Sequence, residues 1–161
     1  MSAQLDNLPR YRRMDGDDLD AVIAIEREIY PHPWTRGNFT DSLAAGYHCW
    51  IVECGRAIAG YTVVLIAAEE AHLLNLSVAA SWQGRGLGRD LVNFAARLAR
   101  GHAARRILLE VRPSNAAARQ LYAAAGFSEI AVRHGYYPAG SSREDAIVLQ
   151  ITLEKGVNRD S

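Results

Sequence analysis

The chain has 161 residues, of which 49% are apolar and 22% charged, and its 18 basic side chains balance 18 acidic ones. This length predicts a single domain over residues 1–161, with an ordered core at about residues 8–153. A domain of this size needs neither disulfides nor a metal to fold. The zero net charge argues against a nucleic-acid partner, which would require many Lys and Arg contacts to phosphates.

The sequence lacks the usual signs of metal binding, export or membrane insertion. The two cysteines, Cys49 and Cys54, have no second pair near them and predict reduced structural thiols. The five histidines show no metal-ligand spacing, so none of them is given a role. No apolar run reaches the roughly 18 residues of a spanning helix, and residues 1–10 lack a signal-peptide core. We therefore expect a cytoplasmic monomer with no metal and no membrane partner.

Apolar spacing, helix caps and turn residues predict helices that alternate with strands. The predicted helices cover residues 17–30, residues 35–43 after a Thr35 cap, a segment from Gly88 to Gly101, and a segment from the Ser114-Asn115 cap to Gly126. The predicted strands are 47–53, 57–67, 72–78, 106–112, 127–133 and 145–153, with a loop at 136–144 and a frayed tail at 154–161. The order predicts an α/β fold with a mixed, mostly antiparallel sheet of about six or seven strands and helices on both faces.

A glycine-rich segment, Gln83-Gly84-Arg85-Gly86-Leu87-Gly88, lies between a predicted strand and a predicted helix. Glycines allow a sharp turn and a close approach of backbone to ligand, and the amides at a helix N-terminus attract anions. Arg85 and Arg89 can add charge-assisted hydrogen bonds. The segment therefore predicts a site for a phosphate or pyrophosphate group, although a tight strand-to-helix turn alone would also use glycines.

Two other phosphate-binding motifs fit this segment less well. The ATP-binding P-loop needs Gly-Lys-Ser/Thr, which is absent. The dinucleotide fingerprint has the spacing G-x-G-x-x-G, whereas this chain has G-x-G-x-G. Glu110 lies 22 residues after Gly88, close to the place of a ribose-binding acid, but only one strand-helix-strand unit is predicted.

The segment matches Gln/Arg-x-x-Gly-x-Gly/Ala, the signature of the GNAT acetyltransferase superfamily. Further blocks between about residues 17 and 153 resemble bacterial ribosomal-protein-alanine N-acetyltransferases: Pro33-Trp34-Thr35, Asn75-Leu76-Ser77-Val78, Leu109-Glu110-Val111-Arg112, Ser114 to Ala118, Leu121-Tyr122, Gly126-Phe127, Tyr136-Tyr137-Pro138 and Arg143-Glu144-Asp145-Ala146. The resemblance implies a GNAT fold, acetyl-coenzyme A as co-substrate, and the N-terminal alanine of a small-subunit ribosomal protein as acceptor.

Direct acetyl transfer needs a base for the amine and an acid for the leaving thiolate. Strand alternation places Glu110 on one face with Leu108 and Arg112, where apolar neighbours should raise its pKa. Tyr122 on the next helix carries a phenol that stays protonated at neutral pH. Alone, such a Glu is more often solvent-facing and such a Tyr more often core. The resemblance implies that Glu110 is the proton acceptor and Tyr122 the proton donor.

The resemblance also implies ligand contacts. The backbone of Leu76, Ser77 and Val78, in a strand that splays from its neighbour, would bind the acetyl carbonyl and the pantetheine arm, and Asn115 would add a side-chain contact. Trp34 and the pair Tyr136 and Tyr137 would hold the peptide through rigid aromatic faces, although core roles are equally open. Four acidic residues could attract a basic peptide: Glu26, Glu28, Glu144 and Asp145.

Three functions remain open at this stage: acetylation of a peptide N-terminus, acetylation of lysine or a small amine, and non-catalytic binding of an acyl-coenzyme A. The joint presence of Glu110 and Tyr122 disfavours the third. An α-amine has a pKa about 2.5 units below that of lysine, so a single Glu suits an α-amine better. Gly135, before the tyrosine pair, departs from the family pattern and makes the fine peptide specificity an open question.

Overall fold

The computed structural model describes residues 8–154. These residues form two compact units, one of residues 8–65 and Asn75–Leu91, the other of Ile66–Leu74 and residues 92–154. The expectation of one domain over residues 1–161 stays a prediction. Most of the predicted tail lies outside the described residues.

The described residues contain seven strands and four α-helices. The strands are β1 (Arg10–Arg13), β2 (His48–Cys54), β3 (Ala57–Ala67), β4 (Glu70–Val78), β5 (Arg106–Val111), β6 (Ser128–Ala139) and β7 (Ser142–Thr152). The helices are α1 (Leu19–Ile29), α2 (Arg36–Ala44), α3 (Leu87–Gly101) and α4 (Ala116–Ala124). Short 3-10 turns at Gly16–Asp18 and Ala80–Trp82 precede α1 and the glycine segment.

The sheet confirms the expected mixed, mostly antiparallel α/β architecture. Its strand order is β1-β2-β3-β4-β5-β7-β6. The pairs β1–β2, β2–β3, β5–β7 and β6–β7 are antiparallel. The β4–β5 pair is parallel and sets His72 opposite Leu108. A parallel pair needs a crossover connection, which α3 provides.

Side-chain caps satisfy otherwise unpaired backbone N–H groups at the start of α2 and of the 3-10 turn that leads into α1, where Asp15 accepts from the Asp17 N–H. Thr35 accepts a hydrogen bond from the Asn38 N–H and caps α2, as predicted. The buried residues of α1 are Leu19, Val22, Ile23 and Glu26. The apolar periodicity of α1 therefore includes one carboxylate, whose partners are described below.

The ends of α3 and α4 use the same turn with different residues. After α4, the predicted Gly126 has φ +101°, and the N–H of Phe127 returns to the carbonyl of Tyr122 at 3.0 Å. After α3, the left-handed residue is Ala103 (φ +62°), and the Ala104 N–H returns to the Ala99 carbonyl at 2.9 Å. Both form the Schellman motif. α3 ends at Gly101, as predicted, although Gly101 is itself helical and the left-handed residue lies two positions later.

The predicted loop at residues 136–144 was also wrong, because these residues form the end of a long β6–β7 hairpin. Tyr137 pairs with Glu144, and Ala139 pairs with Ser142. Gly140, at φ +62°, allows a two-residue reversal, so the aromatic residues before it continue the strand. A register shift between Arg133 and Tyr137 absorbs the extra residues of β6. Gly135 lies in this bulge with φ +60°.

Most of the buried side chains are aliphatic, and Tyr61 and Phe39 are the largest fully buried ones. In the first unit, Val52, Cys54, Ala59, Leu87 and Leu91 form one buried cluster. Both cysteines are free and buried, and burial raises the pKa of Cys49 to about 11. Reduced structural thiols fit this environment.

Candidate active site

The glycine segment has the backbone geometry of an anion cradle. Gly84 and Gly86 have φ values of +77° and +83°, and Arg85 between them does not share this left-handed conformation. Such alternation turns successive N–H groups toward one concavity. A Cβ added at Gly84 or Gly86 would meet no atom within 4 Å, so conformation, not crowding, requires glycine there.

The start of α3 adds the second element of an anion site. The Gly86 carbonyl accepts a hydrogen bond from the Asp90 N–H at 3.1 Å, so the helical pattern begins at Gly86 and includes Leu87, Gly88 and Arg89. The first N–H groups of a helix have no intrahelical acceptor and carry the positive end of its dipole. The Arg85 guanidinium stacks on the Trp82 ring at 4.9 Å. This open, cationic turn fits a phosphate or pyrophosphate group.

The strand that precedes this turn is tied to it and to α1. The Gln83 side-chain amide donates to the Val78 carbonyl at 3.0 Å. The Tyr30 hydroxyl lies 3.1 Å from the Leu76 carbonyl and 2.8 Å from the Ser77 hydroxyl. Burial raises the pKa of Tyr30 to about 12, so this phenol stays protonated. Sequence reasoning missed Tyr30, whose only signal was its position at the end of a predicted helix.

A buried polar network continues from Ser77 to the carboxylate of Glu26, which is only 1% exposed. The Ser77 hydroxyl donates to Asn75 Oδ1 at 2.6 Å, and Asn75 Nδ2 donates to Glu26 Oε1 at 2.6 Å. The Tyr61 hydroxyl also donates to Oε1, at 2.9 Å. Several donors thus satisfy a charge that would otherwise be costly to bury. Glu26 cannot be the surface acid that the sequence suggested.

Trp34 belongs partly to this network and partly to the core. Its backbone N–H donates to Glu26 Oε2 at 2.9 Å. Its half-buried ring lies 5.1 Å from the ring of Phe39, which in turn packs edge-on against Tyr61. The segment predicted to hold a peptide is therefore anchored by the buried carboxylate of α1.

In the second unit, Glu110 lies on the half-buried face of β5, as the alternation predicted. Its oxygens lie 3.1 and 3.3 Å from His72 Nε2, and Arg133 is 3.5 Å away. The hydrogen bond with His72 lowers the pKa of Glu110 and outweighs the opposing effect of burial. The expectation of a raised pKa was wrong, because β4 and β6 bring cationic partners that the sequence of β5 does not contain. Sequence reasoning gave His72 no role and missed this contact.

Tyr122 and Asn115 lie on the helix that follows this strand. Tyr122 is 7% exposed, and its ring packs edge-on against Phe127 with centroids 5.4 Å apart. Asn115 Oδ1 accepts a hydrogen bond from the Ala118 N–H at 3.2 Å and caps α4. Asn115 therefore has its structural role, and its contact with a ligand stays a prediction.

The two tyrosines predicted to hold a peptide form one rigid aromatic pair near the end of the hairpin. Their centroids are 4.9 Å apart, and Arg133 stacks over Tyr136 at 4.4 Å while Arg112 stacks over Tyr137 at 4.3 Å. Burial is the main reason that the pKa of Tyr137 rises to about 12. Arg133 contacts both Tyr136 and Glu110, so the aromatic pair and the predicted base share a neighbour.

The remaining acids near the hairpin are engaged in local structure. Glu144 accepts a hydrogen bond from the Ser114 N–H at 2.9 Å and pairs with Arg112 at 3.3 Å. Asp145 accepts the Gly135 N–H at 2.8 Å, which holds the bulge of β6. Of the four acids proposed to attract a basic peptide, Glu28 is the exposed one.

The described residues contain no cluster of three or more His, Cys, Asp or Glu side chains that could hold a metal ion. Within residues 8–154, no helix is both long enough and apolar enough to cross a membrane.

Fold and sequence define the class of this protein. Residues 19–127 match the acetyltransferase (GNAT) family, and the chain belongs to that family. It is 31% identical over 140 residues to the [ribosomal protein bS18]-alanine N-acetyltransferase of Escherichia coli strain K12, covering 87% of this chain and 95% of that protein. It is 32% identical over 146 residues to a putative enzyme of the same name from Bacillus subtilis, covering 89% of this chain and 95% of that protein.

A solved structure agrees with this assignment. The crystal structure of the ribosomal-protein-S18-alanine N-acetyltransferase from Escherichia coli has a TM-score of 0.84 and 30% identity, covering 94% of this chain and 98% of that one. The GNAT fold expected from the sequence is confirmed.

Proposed function

We propose that this protein transfers the acetyl group of acetyl-coenzyme A to the N-terminal α-amine of a peptide, an alanine of a small-subunit ribosomal protein. The observation that carries the proposal is the left-handed pair Gly84 and Gly86 at the start of α3, which offers backbone N–H groups to a pyrophosphate. The relatives that share about 31% of their residues with this chain over nearly their full length support the choice of acceptor.

Acetyl-coenzyme A supplies the activated acetyl group as a thioester. In the proposed cofactor site, the segment from Gln83 to Arg89 binds the pyrophosphate and the backbone of Leu76, Ser77 and Val78 orients the thioester, with Asn115 as a further contact. The Tyr30 and Gln83 hydrogen bonds support this role, because they fix the carbonyls of Leu76 and Val78. Preorganised backbone dipoles stabilise developing charge better than mobile ones.

Glu110 accepts the proton of the substrate amine, and Tyr122 gives a proton to the departing thiolate. The lowered pKa of Glu110 keeps it anionic at neutral pH, as a proton acceptor must be, but also makes it a weak base on its own. A weak base favours an α-amine, with pKa near 7.7–8.0, over lysine near 10.4, because deprotonating lysine costs about 3–4 kcal/mol more at the same pH. This difference supports N-terminal acetylation over the lysine alternative.

A peptide competition tests the acceptor class. Three acceptors are incubated with the protein and acetyl-coenzyme A: a peptide with free N-terminal Ala, the same peptide blocked at its N-terminus but carrying Lys, and a small polyamine. Mass spectrometry should show that the free N-terminus is acetylated fastest. Equal turnover of the blocked lysine peptide would replace this proposal with lysine acetylation, and no turnover of any acceptor would favour a binding module.

The aromatic pair provides a second test. Tyr137→Ala should raise the peptide KM about tenfold, roughly 1.4 kcal/mol, and leave acetyl-coenzyme A affinity unchanged. Tyr137→Phe is the matched control, since it keeps the ring under Arg112 and loses only the hydroxyl. If the peptide KM of Tyr137→Ala equals that of wild type, the peptide does not contact this residue. Parallel variants of Tyr136 and Trp34 extend the test to the other aromatic faces.

We also propose that the protein acts in the cytoplasm as a monomer without a nucleic-acid partner. Two observations support this setting: the cysteines are free and buried, and the chain carries no net charge.

A further inference from the structure

His72 and Glu110 form a pair that the parallel register of β4 and β5 creates. His72 lies opposite Leu108, two residues before Glu110 on the neighbouring strand. The imidazole Nε2 lies 3.1 Å from Oε2 and 3.3 Å from Oε1 of Glu110. The side chain of Glu110 is 15% exposed and that of His72 is 34% exposed. One member of the pair is thus largely shielded, and the other retains access to water.

Charged groups on three strands act on this pair. Arg133 from β6 lies 3.5 Å from Glu110. Tyr137 on the same strand is close enough for the negative charge of Glu110 to raise its pKa. Glu70, on the same strand as His72, adds negative charge, although Arg106 binds Glu70 at 2.9 Å. The hydrogen bond to Glu110 is the main reason that the pKa of His72 is raised above its ordinary 6.5, against the opposing effects of burial and Arg133.

The pair solves a chemical problem that Glu110 alone would have. A carboxylate whose pKa lies below 4.5 holds a proton poorly at neutral pH, so it is a weak acceptor for an ammonium proton. Two groups in contact titrate as a pair, in two steps, and the raised pKa of His72 places one of these steps above the pKa of the carboxylate. An acceptor that titrates near the operating pH is close to the optimum for base catalysis.

We propose that the base of this enzyme is the His72–Glu110 pair, with His72 as a further catalytic residue on which the proton of the substrate amine comes to rest. This inference rests on the proposed function, because it needs an amine that must lose a proton. The N–H bond of the ammonium breaks as Glu110 takes the proton, and an N–H bond forms on the imidazole as Glu110 passes the proton on. Glu110 is then again a carboxylate that stabilises the imidazolium, and the exposed part of His72 returns the proton to water. A buried carboxylate orients a histidine in the same way in catalytic triads.

The pH dependence of one variant separates this role from a structural one. At each pH, kcat at saturating substrate is measured for wild type and His72→Gln, with whichever amine the wild type acetylates fastest. Titration of the amine affects both proteins equally and cancels in the ratio. The kcat of wild type divided by that of His72→Gln should be at least about 10 near pH 8. This ratio should fall toward one below about pH 6, where His72 is already protonated in the wild type. A ratio that does not change with pH, or stays below about threefold near pH 8, would overturn the proposal.

Two controls accompany the kinetics. His102→Gln removes the histidine that directly follows α3 and should leave the wild-type profile unchanged. Calorimetry with acetyl-coenzyme A should give the same affinity for wild type and His72→Gln, which verifies that the variant is folded.

A titration without substrate tests the pair independently of the proposed function. The imidazole resonances of His72, assigned by their loss in His72→Gln, are followed by NMR from about pH 5 to 9. The midpoint should lie above 6.5 in wild type and move downward in Glu110→Gln, because removal of the carboxylate charge destabilises the imidazolium. A midpoint at or below 6.5 in wild type, or one that Glu110→Gln does not change, would contradict the pairing even if the enzyme acetylates peptides. Normal pairing without acetylation of any peptide would instead reject the proposed acceptor.

Discussion

The side-chain amide of Asn75 donates a 2.6 Å hydrogen bond to the carboxylate of Glu26, joining β4 to α1 within the first compact unit. Tyr61 and the backbone of Trp34 donate to the same carboxylate. Through Ser77, the network also reaches the strand segment that we propose orients the thioester. The buried carboxylate of Glu26 thus anchors both the Trp34 segment and the strand segment at Ser77.

Replacing this carboxylate should destabilise the protein strongly. Glu26→Gln puts an N–H₂ group where donors converge, so the free energy of unfolding should fall by about 2–4 kcal/mol. Chemical denaturation measures the change. Glu28→Gln, two residues along the helix and exposed, is the matched control and should stay within about 0.5 kcal/mol of wild type. Equal effects of the two substitutions would show that the network contributes nothing beyond surface charge.

The glycine segment gives a prediction about charge. Gly86→Asp should weaken acetyl-coenzyme A binding at least about tenfold relative to Gly86→Asn, because only the carboxylate repels the pyrophosphate. Asp and Asn have similar size and both tolerate the left-handed backbone of Gly86, so strain cancels between them. Isothermal titration calorimetry measures both affinities. Equal affinities of these two variants would show that the pyrophosphate does not bind at this turn.

Tyr122 gives a prediction about the leaving group. Tyr122→Phe keeps the ring that packs on Phe127 but removes the proton donor, so kcat should fall about 10²-fold while acetyl-coenzyme A affinity is retained. Single-turnover kinetics separates the transfer step from product release. Full activity of the variant would exclude Tyr122 as the acid.

Acid stability should depend on Asp18, the residue directly before α1. Two hydrogen bonds from Arg12, at 2.8 and 2.7 Å, are the main reason that the pKa of Asp18 is lowered from 3.8. Ionised Asp18 is thus favoured in the folded state, and its stabilisation is present above pH 3.8 and lost as pH falls through the lower folded value. Asp18→Asn should lower the unfolding free energy by about 1 kcal/mol at neutral pH, since Arg12 is partly exposed.

A pH series of denaturation curves checks this prediction. The difference between wild type and Asp18→Asn should be steady near neutral pH and shrink below about pH 4. Asp20→Asn is the control, because the Arg36–Asp20 pair is exposed and should contribute less than about 0.5 kcal/mol. If the loss of unfolding free energy in Asp18→Asn stays the same in acid, the loss comes from helix capping and not from the charge of Asp18.

The end of α3 offers a stabilising substitution. Ala103 adopts φ +62°, where a Cβ is strained, so Ala103→Gly should raise the unfolding free energy by about 0.5–1 kcal/mol. Gly101→Ala is the companion change: Gly101 is helical and a Cβ there meets no atom within 4 Å, so Ala should also stabilise, by a similar amount. Thermal and chemical denaturation measure both. A destabilised Ala103→Gly would show that the left-handed turn costs little here.

Local chemistry made much of this protein readable from its sequence. The cap at Thr35, the Gly126 turn and the glycine segment are each specified by residues that are neighbours in the chain, so their conformations follow from short-range sterics and hydrogen bonding. The alternation of β5 likewise placed Glu110 on the less buried face. Binary patterns and turn residues were sufficient for the α/β class and the mostly antiparallel sheet.

Only the tertiary structure decided the state of the ionisable groups. Glu26 has the sequence context of a surface acid, yet donors from β3, β4 and the Trp34 segment bury and satisfy it. The pKa of Glu110 is lowered, not raised, because the parallel register of β4 and β5 brings His72 from 38 residues away. Electrostatic interactions depend on distance in space and on burial, neither of which a local sequence window contains. For this reason the sequence could nominate Glu110, but only the fold could reveal its partner.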